Sequence, residues 1–284
     1  MQTVKQAVIL AGGKGTRLRP FTYNNPKPMV PINGKPFLEY TIEYLREYGI
    51  NEVLILVGYL GKKIEDYFGN GQDFGLSIKY SYSSLDSKTG KRIKDAANLL
   101  DSTFLLMYCD NFCPLMLDRV FDFYFSNNQE ALVSVYNNKN GISKNNILVD
   151  ENNLVKIYDK SRTEKNLNGV EIGYFILKKN ILEIMPNTNF SFERIIMPKL
   201  IENNELSAYT TDTKYYSIGD NSRVPLTEKF FSDKKVIFLD RDGVINRKAD
   251  EGDYVKSWEE FVFLPGVKES IVSLTKAGYL IFVI

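Results

Sequence analysis

Short apolar runs alternate with amphipathic stretches up to residue 110. The runs at 7–10, 52–57 and 104–108 are almost wholly apolar, which is typical of strands buried on both faces of a parallel sheet. Residues 36–48 place their apolar side chains on one helical stripe, and residues 61–68 form a shorter amphipathic helix. A strand at 77–82 and a helix at 92–100 complete this half. The alternation predicts a parallel α/β sheet covered by helices.

The pattern changes after residue 130. Strands are predicted at 132–136, 146–149, 154–158 and 170–177, separated by turns rich in Asn, Gly and Lys, and a helix is predicted at 192–201. The predicted fold class is therefore α/β, with a Rossmann-like, mixed and mainly parallel sheet. Ligands of such sheets bind at the carboxyl ends of the strands.

A glycine-rich loop follows the first apolar run. Residues 10–20 read Leu-Ala-Gly-Gly-Lys-Gly-Thr-Arg-Leu-Arg-Pro, and residues 26–31 read Pro-Lys-Pro-Met-Val-Pro. Glycines let the backbone turn sharply and approach a ligand, and successive N–H groups in such a turn suit a polyphosphate. Four cations surround the loop: Lys14, Arg17, Arg19 and Lys27. It fits neither a Walker A loop nor Gly-x-Gly-x-x-Gly, and a glycine turn with solvated charges is the competing interpretation.

The double motif resembles the signature of the sugar-1-phosphate nucleotidyltransferases, over roughly the first 220 residues. The resemblance implies that the loop wraps a nucleoside triphosphate and that Arg17 and Lys27 hold its phosphates. It implies these nucleotide-binding residues: Leu10, Ala11, Gly12, Gly13, Gly15, Thr16, Arg17, Lys27 and Thr89. Attack by a sugar 1-phosphate on the α-phosphorus would release pyrophosphate and needs no general base, because the nucleophile is already anionic.

Composition narrows the chemistry. The 284 residues contain no histidine, which excludes imidazole catalysis and Cys/His zinc sites, and only two cysteines, Cys109 and Cys113, which we expect to be buried thiols. The net charge of +1 provides no bulk field for nucleic acid or an anionic membrane. No segment approaches the ~18 consecutive apolar residues of a membrane span, and no signal peptide is evident. We expect a cytoplasmic protein without nucleic-acid or membrane partners; homo-oligomerisation is left open.

Further site residues are predicted beyond the loop. Asp110 ends an apolar strand, where a carboxylate can hold Mg²⁺ against the reacting phosphates, although an Asx turn is the alternative. The resemblance matches Lys160 to a lysine that contacts the sugar phosphate. It matches Glu171 and Gly173 to a strand that binds the sugar. The expected catalytic residues are Arg17, Lys27 and Asp110. Ser191 is predicted to cap a helix that has Glu193 in its first turn.

Two departures from the family pattern stand out. A second metal-binding aspartate is replaced by Ser217, so Asp220 must supply the ligand, substrate oxygens must compensate, or turnover is compromised. In addition, a loop that is usually neutral and glycine-rich reads Asp-Ser-Lys-Thr-Gly-Lys-Arg at 86–92. Its cations either add a phosphate contact or close the base pocket.

A second module begins near residue 229. An apolar run at 236–239 leads into Asp-Arg-Asp-Gly-Val-Ile-Asn, which places Asp240 and Asp242 at a strand tip as a nucleophile and an acid/base beside Mg²⁺. The motif resembles haloacid-dehalogenase-type phosphatases, specifically the branch that includes heptose-1,7-bisphosphate and histidinol-phosphate phosphatases. Later elements of that family are missing. We therefore expect domains at 1–228 and 229–284, the second an incomplete, inactive start of an α/β phosphatase in a longer bifunctional protein.

The tail bears on the substrate. A heptose-bisphosphate phosphatase would supply heptose 1-phosphate, so the hypothesis is a transferase for D-glycero-D-manno-heptose 1-phosphate, with GTP as the donor implied by the resemblance and Mg²⁺ as the cofactor. One alternative is a hexose 1-phosphate or another phosphorylated metabolite with UTP, dTTP or CTP. Another is a catalytically weak, nucleotide-binding regulatory subunit.

Overall fold

The computed structural model of the protein describes residues 3–127, 129–232, 235–276 and 279–284. The chain divides into two units, Met1–Phe230 and Phe231–Ile284. The strands are β1 (Gln6–Ala11), β2 (Pro31–Ile32), β3 (Lys35–Pro36), β4 (Glu52–Val57), β5 (Ser77–Tyr82), β6 (Thr103–Tyr108), β7 (Asn111–Phe112), β8 (Ala131–Tyr136), β9 (Ile147–Val149), β10 (Val155–Tyr158), β11 (Val170–Lys178), β12 (Leu206–Thr211), β13 (Tyr216–Ser217), β14 (Val236–Leu239) and β15 (Leu280–Val283). The α-helices are α1 (Phe37–Glu47), α2 (Gly61–Phe68), α3 (Thr89–Asp95), α4 (Leu117–Asn127), α5 (Phe192–Glu202), α6 (Val224–Phe231) and α7 (Val267–Lys276).

Within the described part of the first unit, seven strands form one sheet in the order β12-β8-β11-β6-β1-β4-β5. β1 is parallel to β4 and to β6, β4 is parallel to β5, and β12 is parallel to β8. Only β11 runs antiparallel to its neighbours, β6 and β8. The predicted mixed and mainly parallel sheet is confirmed.

The central strands are buried because apolar side chains occupy both of their faces. Every residue of β1 is buried, and β4 and β6 are buried along most of their length. This burial explains why they read as continuous apolar runs rather than as alternating patterns. β1 and β6 lie side by side and parallel, so the loop after Ala11 and the residues after Tyr108 meet at one sheet edge.

Several elements differ from the sequence predictions. Helix α1 begins at Phe37, with Pro36 as its N-cap, not as its first residue. Helix α3 spans Thr89–Asp95 instead of 92–100, and a 3₁₀ segment, Ala97–Leu99, follows it. Its start is set by distant contacts, because the Lys91 amide donates to the carbonyl of Phe190 at 3.2 Å. Helices α4 and α6 and strand β12 were not predicted.

In the second unit, β14 and β15 pair in parallel, and α7 lies between them in the chain. The tip of β14 leads into a turn in which Asp242 accepts two hydrogen bonds from Arg241, at 2.9 and 3.0 Å. The side-chain amide of Asn246 donates to the same carboxylate at 3.0 Å.

Among the described residues, no helix combines the length and the apolar character needed to cross a membrane.

Candidate functional site

The glycine loop is held in a tight turn at the end of β1. Gly15 has φ +61°, a left-handed conformation that favours glycine, and a Cβ there would lie 3.1 Å from both Lys27 and Thr22. The Gly15 carbonyl accepts hydrogen bonds from the Thr22 hydroxyl at 2.8 Å and from the Leu18 amide at 2.9 Å. These contacts place Arg17, which lies in a single 3₁₀ turn, Thr16–Leu18, beside the end of β1.

Arg92 supports this loop from within the protein. Its side chain is buried, and its guanidinium donates to three backbone carbonyls: those of Val57 at 2.9 Å, Gly12 at 3.2 Å and Ser84 at 2.9 Å. A Cβ on Gly12 would come within 2.3 Å of the guanidinium, so a larger residue there would displace the Arg92 side chain. Burial lowers the pKa of Arg92. Arg92 therefore joins the ends of β1 and β4. That the cations of residues 86–92 contact a phosphate or close the base pocket stays a prediction.

Asp110 and Lys27 form an ion pair across the sheet edge. The Lys27 ammonium contacts Oδ2 of Asp110, and the two side chains are 12% and 24% exposed. The backbone of Asp110 is held by the amide of Ile218, which donates to its carbonyl at 3.0 Å. Two of the three predicted catalytic side chains, Lys27 and Asp110, therefore lie together.

Two cavities meet at this ion pair. The nucleotide-side cavity, about 460 Å³, is lined by these predicted nucleotide-binding residues: Leu10, Gly12, Gly13, Gly15, Thr16, Arg17, Lys27 and Thr89. The acceptor-side cavity, about 430 Å³, is lined by Lys160, Glu171, Ser217, Asp220 and Arg223, among others. Five residues line both cavities: Arg17, Tyr108, Asp110, Lys160 and Glu193. This shared boundary is where a group could pass from one bound molecule to the other.

The four loop cations differ in position. Arg17 and Lys27 line the nucleotide-side cavity, whereas Lys14 and Arg19 are not among the described residues that line either cavity. The guanidinium of Arg19 lies 5.0 Å from the ring centre of Tyr23 instead. Ala11, also predicted to bind nucleotide, is fully buried in β1 and does not line the cavity.

Glu171 and Gly173 lie at an irregularity of β11 on the acceptor side. Gly173 has φ +85°, and a Cβ there would lie 2.7 Å from the Tyr108 ring. The Gly173 amide donates to the Glu171 carboxylate, and the Glu171 amide donates to Oδ1 of Asn146 at 2.8 Å. Burial, with smaller contributions from the charges of Glu193 and Asp110, raises the pKa of Glu171 from its ordinary 4.5 to about 8.

A pH dependence of stability follows from Glu171. Between about pH 4.5 and 8 the folded chain keeps a proton that the unfolded chain releases, so the free energy of unfolding falls as the pH rises through this window. We expect Glu171→Gln to reduce this fall in the free energy of unfolding by about 1–3 kcal/mol. Urea unfolding followed by circular dichroism at pH 5.5 and 8 measures the difference. Glu151→Gln, at an exposed position, is the control; parallel pH profiles of wild type and Glu171→Gln would contradict the assignment.

Glu193 connects the two cavities, a role that its predicted place in a helix cap did not indicate. Its carboxylate accepts hydrogen bonds from Tyr108 and Thr89, each at 2.8 Å, and from the hydroxyl of Ser191. Ser191 is the N-cap residue of α5 but makes no side-chain cap hydrogen bond. Burial alone would raise the pKa of Glu193, but the hydrogen bonds from Ser191 and Tyr108 and the charge of Lys160 lower it overall. The Ser-x-Glu pattern was the available sequence signal.

Asp220 and Ser217 face the acceptor-side cavity next to Arg223. Asp220 accepts a hydrogen bond from the Ser222 amide at 3.1 Å, and its Oδ2 lies 3.6 Å from Nε of Arg223. The guanidinium also donates to the hydroxyl of Ser217 at 3.2 Å. The positively charged side chain of Arg223 therefore lies beside both Asp220 and Ser217. That Asp220 binds a metal ion stays a prediction.

The carboxylate of Asp110 is suited to bind Mg²⁺ together with ligands that the protein does not supply. The described residues contain no group of three or more His, Cys, Asp or Glu side chains able to hold a metal ion, so a cage made only of protein ligands is absent from this part of the chain. Mg²⁺ is, however, commonly bound through one or two carboxylates together with substrate phosphates and water. Asp110, at the boundary of both cavities, provides such a carboxylate.

The two cysteines are buried thiols, as expected. Burial raises the pKa of Cys109 and of Cys113 to about 12, which keeps both thiols protonated at neutral pH. Neither is suited to act as a nucleophile.

Comparison with known proteins agrees with this geometry. The family model described as "Nucleotidyl transferase" matches residues 6–224. D-glycero-alpha-D-manno-heptose 1-phosphate guanylyltransferase of Campylobacter jejuni is 33% identical over 195 residues, which cover 67% of this chain and 84% of that protein. UTP–glucose-1-phosphate uridylyltransferase of Synechocystis is 28% identical over 232 residues, covering 75% of this chain but only 60% of the relative.

Solved structures show the same fold. The crystal structure of HddC from Yersinia pseudotuberculosis has a TM-score of 0.70 and 26% identity, and it covers 81% of this chain and 100% of its own. The structure of the same protein complexed with GMP-PN has a TM-score of 0.67, with the same identity and coverage. The chain therefore belongs to the nucleotidyl transferase family, as a sugar-1-phosphate nucleotidyltransferase.

Proposed function

We propose that the chain transfers GMP from GTP to D-glycero-D-manno-heptose 1-phosphate, yielding GDP-heptose and pyrophosphate. The observation that carries the proposal is the 33% identity to the Campylobacter jejuni heptose 1-phosphate guanylyltransferase over 84% of that protein. The complex of Yersinia pseudotuberculosis HddC with GMP-PN adds support for the guanine nucleotide.

The reaction would take place at the boundary between the cavities. A phosphate oxygen of the sugar 1-phosphate attacks the α-phosphorus of GTP, the bond between that phosphorus and the bridging oxygen to the β-phosphate breaks, and pyrophosphate leaves. Mg²⁺, held by Asp110 with phosphate oxygens, would neutralise negative charge when bound. Arg17 and Lys27 bind phosphates from the nucleotide side, and Lys160 faces both substrates.

The protein's main contribution is positioning and charge. Lys27 is held in place by its ion pair with Asp110, and Lys160 lines both cavities next to Glu193. Preorganised cations around transferring phosphates lower the barrier without a proton transfer. The absence of histidine from the sequence is consistent with this chemistry.

The second unit supports a related proposal. A strand, a helix and a parallel strand follow one another as β14, α7 and β15, and Asp240 and Asp242 follow the tip of β14. We propose that this unit belongs to a haloacid-dehalogenase-type phosphatase module. A heptose-bisphosphate phosphatase would produce the heptose 1-phosphate that the first unit uses.

UTP with glucose 1-phosphate is the second candidate substrate pair, favoured by the similarity to the Synechocystis uridylyltransferase. Incubation of the chain and Mg²⁺ with mixed nucleoside triphosphates and mixed sugar 1-phosphates, followed by mass spectrometry, separates the two. We expect GDP-heptose as the main product. UDP-glucose as the main product would reject the heptose proposal, and GTP binding without pyrophosphate release on any acceptor would indicate a regulatory subunit.

A further inference from the structure

Arg223 is held beside the end of β6 by elements distant from it in sequence. β13 pairs antiparallel with β7, so that Ser217 lies opposite Asn111, the residue after Asp110. A turn follows, in which the Arg223 amide donates to the carbonyl of Asp220 at 3.2 Å. The backbone of Arg223 is therefore fixed close to the strand tip where the two cavities meet.

The guanidinium is held by contacts through two of its nitrogens, Nη1 and Nε. Nη1 donates to the hydroxyl of Ser217 at 3.2 Å and to that of Tyr215 at 3.3 Å, and Nε lies 3.6 Å from Asp220. Nη2 has no hydrogen-bond partner among the residues that the structure describes. The side chain is 38% exposed. An oriented guanidinium with a free Nη2 is suited to donate a charge-assisted hydrogen bond to a phosphate oxygen.

The position of Arg223 relative to the two cavities indicates which substrate's phosphate it would contact. Arg17 and Lys160 line both cavities, whereas Arg223 lines the acceptor-side cavity and not the nucleotide-side one. The guanidinium of Arg223 therefore faces a molecule bound on the acceptor side. Asp110 is paired with Lys27, whereas Arg223 is paired through Nε with Asp220 at 3.6 Å, which leaves Nη2 to face the cavity.

We propose that Arg223 binds the phosphate of the sugar 1-phosphate through Nη2 and so fixes the attacking oxygen; this rests on the proposed function. Asp220 and Ser217 then serve as positioning residues that hold the guanidinium, which explains why a serine occupies position 217. Arg223 thereby supplies the positive charge at this end of the acceptor-side cavity.

The test is calorimetry of D-glycero-D-manno-heptose 1-phosphate binding to the full chain in EDTA, where no divalent cation takes part. We expect Arg223→Ala to raise Kd roughly 10- to 100-fold, the loss of hydrogen bonds to a charged group, and Arg223→Lys to restore part of the affinity. Arg119→Ala, an exposed arginine of α4, is the matched control and should bind like wild type. Heptose without its phosphate should bind wild type and Arg223→Ala equally.

Kinetics provides a second readout. Arg223→Ala should raise KM for the sugar 1-phosphate while KM for GTP stays within about twofold, a split that general destabilisation of the fold does not produce. Equal Kd for wild type and Arg223→Ala, or equal losses for both substrates, would overturn the inference. If the wild type instead accepts only glucose 1-phosphate, the heptose proposal fails, and the same comparison with glucose 1-phosphate still decides the role of Arg223.

Discussion

Replacing Arg17 with alanine is expected to lower kcat/KM for sugar nucleotide formation by about 10²- to 10³-fold, comparable to removing one donor that stabilises transition-state charge. Arg17 lines both cavities, in a turn fixed by the left-handed Gly15, so a phosphate bound in either cavity would lie next to its side chain. Pyrophosphate release at subsaturating substrate measures the effect directly.

Lys14→Ala is the matched control for Arg17→Ala. Lys14 is an exposed cation of the same loop, but it is not among the described residues that line either cavity, so its loss should change kcat/KM less than about threefold. Near-normal turnover of Arg17→Ala would remove Arg17 from the mechanism. Equal losses in the two variants would show that the loop acts only through its overall charge.

Asp110→Asn is expected to reduce kcat by about 10²- to 10³-fold. The substitution keeps the size of the side chain but removes the charge that pairs with Lys27 and that would bind Mg²⁺. A pyrophosphate-release assay across a range of Mg²⁺ concentrations checks both points, because weaker metal binding shifts the curve to higher Mg²⁺ while a lost ion pair lowers its plateau.

The control for this substitution is Asp118→Asn, an exposed carboxylate in the first turn of α4. It should retain wild-type turnover and the wild-type response to Mg²⁺. An Asp110→Asn variant with both properties intact would remove Asp110 from the mechanism, and the Asx-turn interpretation of this strand end would then be correct.

Much of the fold was predictable because strands that are buried on both faces consist almost wholly of apolar residues. β1, β4 and β6 are apolar on both faces, and each was found from its uninterrupted run. Helix α4 carried a comparable signal, with Leu117, Val120, Phe121 and Tyr124 buried at helical spacing, and could have been found. The start of α3 could not, because it depends on contacts with Phe190 and Phe192 about a hundred residues away.

Some residues of the candidate site could also be predicted from the sequence, and others could not. The glycine loop, Arg17, Lys27 and Asp110 were identified from local motifs, since a phosphate-binding turn requires particular residues at particular spacings. The roles of Glu193 and Arg92 were not evident from the sequence. Arg92 lies in a basic segment that resembles a ligand contact, yet it binds carbonyls at the ends of other strands.

The sequence alone therefore determined the apolar central strands β1, β4 and β6, the place of the glycine-rich loop and the absence of imidazole chemistry, because each depends on residue type or on spacing within a short segment. Only the tertiary structure decided which charges meet. Lys27 contacts Asp110, Thr89 donates to Glu193, and the pairing of β7 with β13 places Ser217 opposite Asn111, beside the end of β6. Electrostatic interactions depend on distance in space, and that distance is set by the packing of the whole sheet.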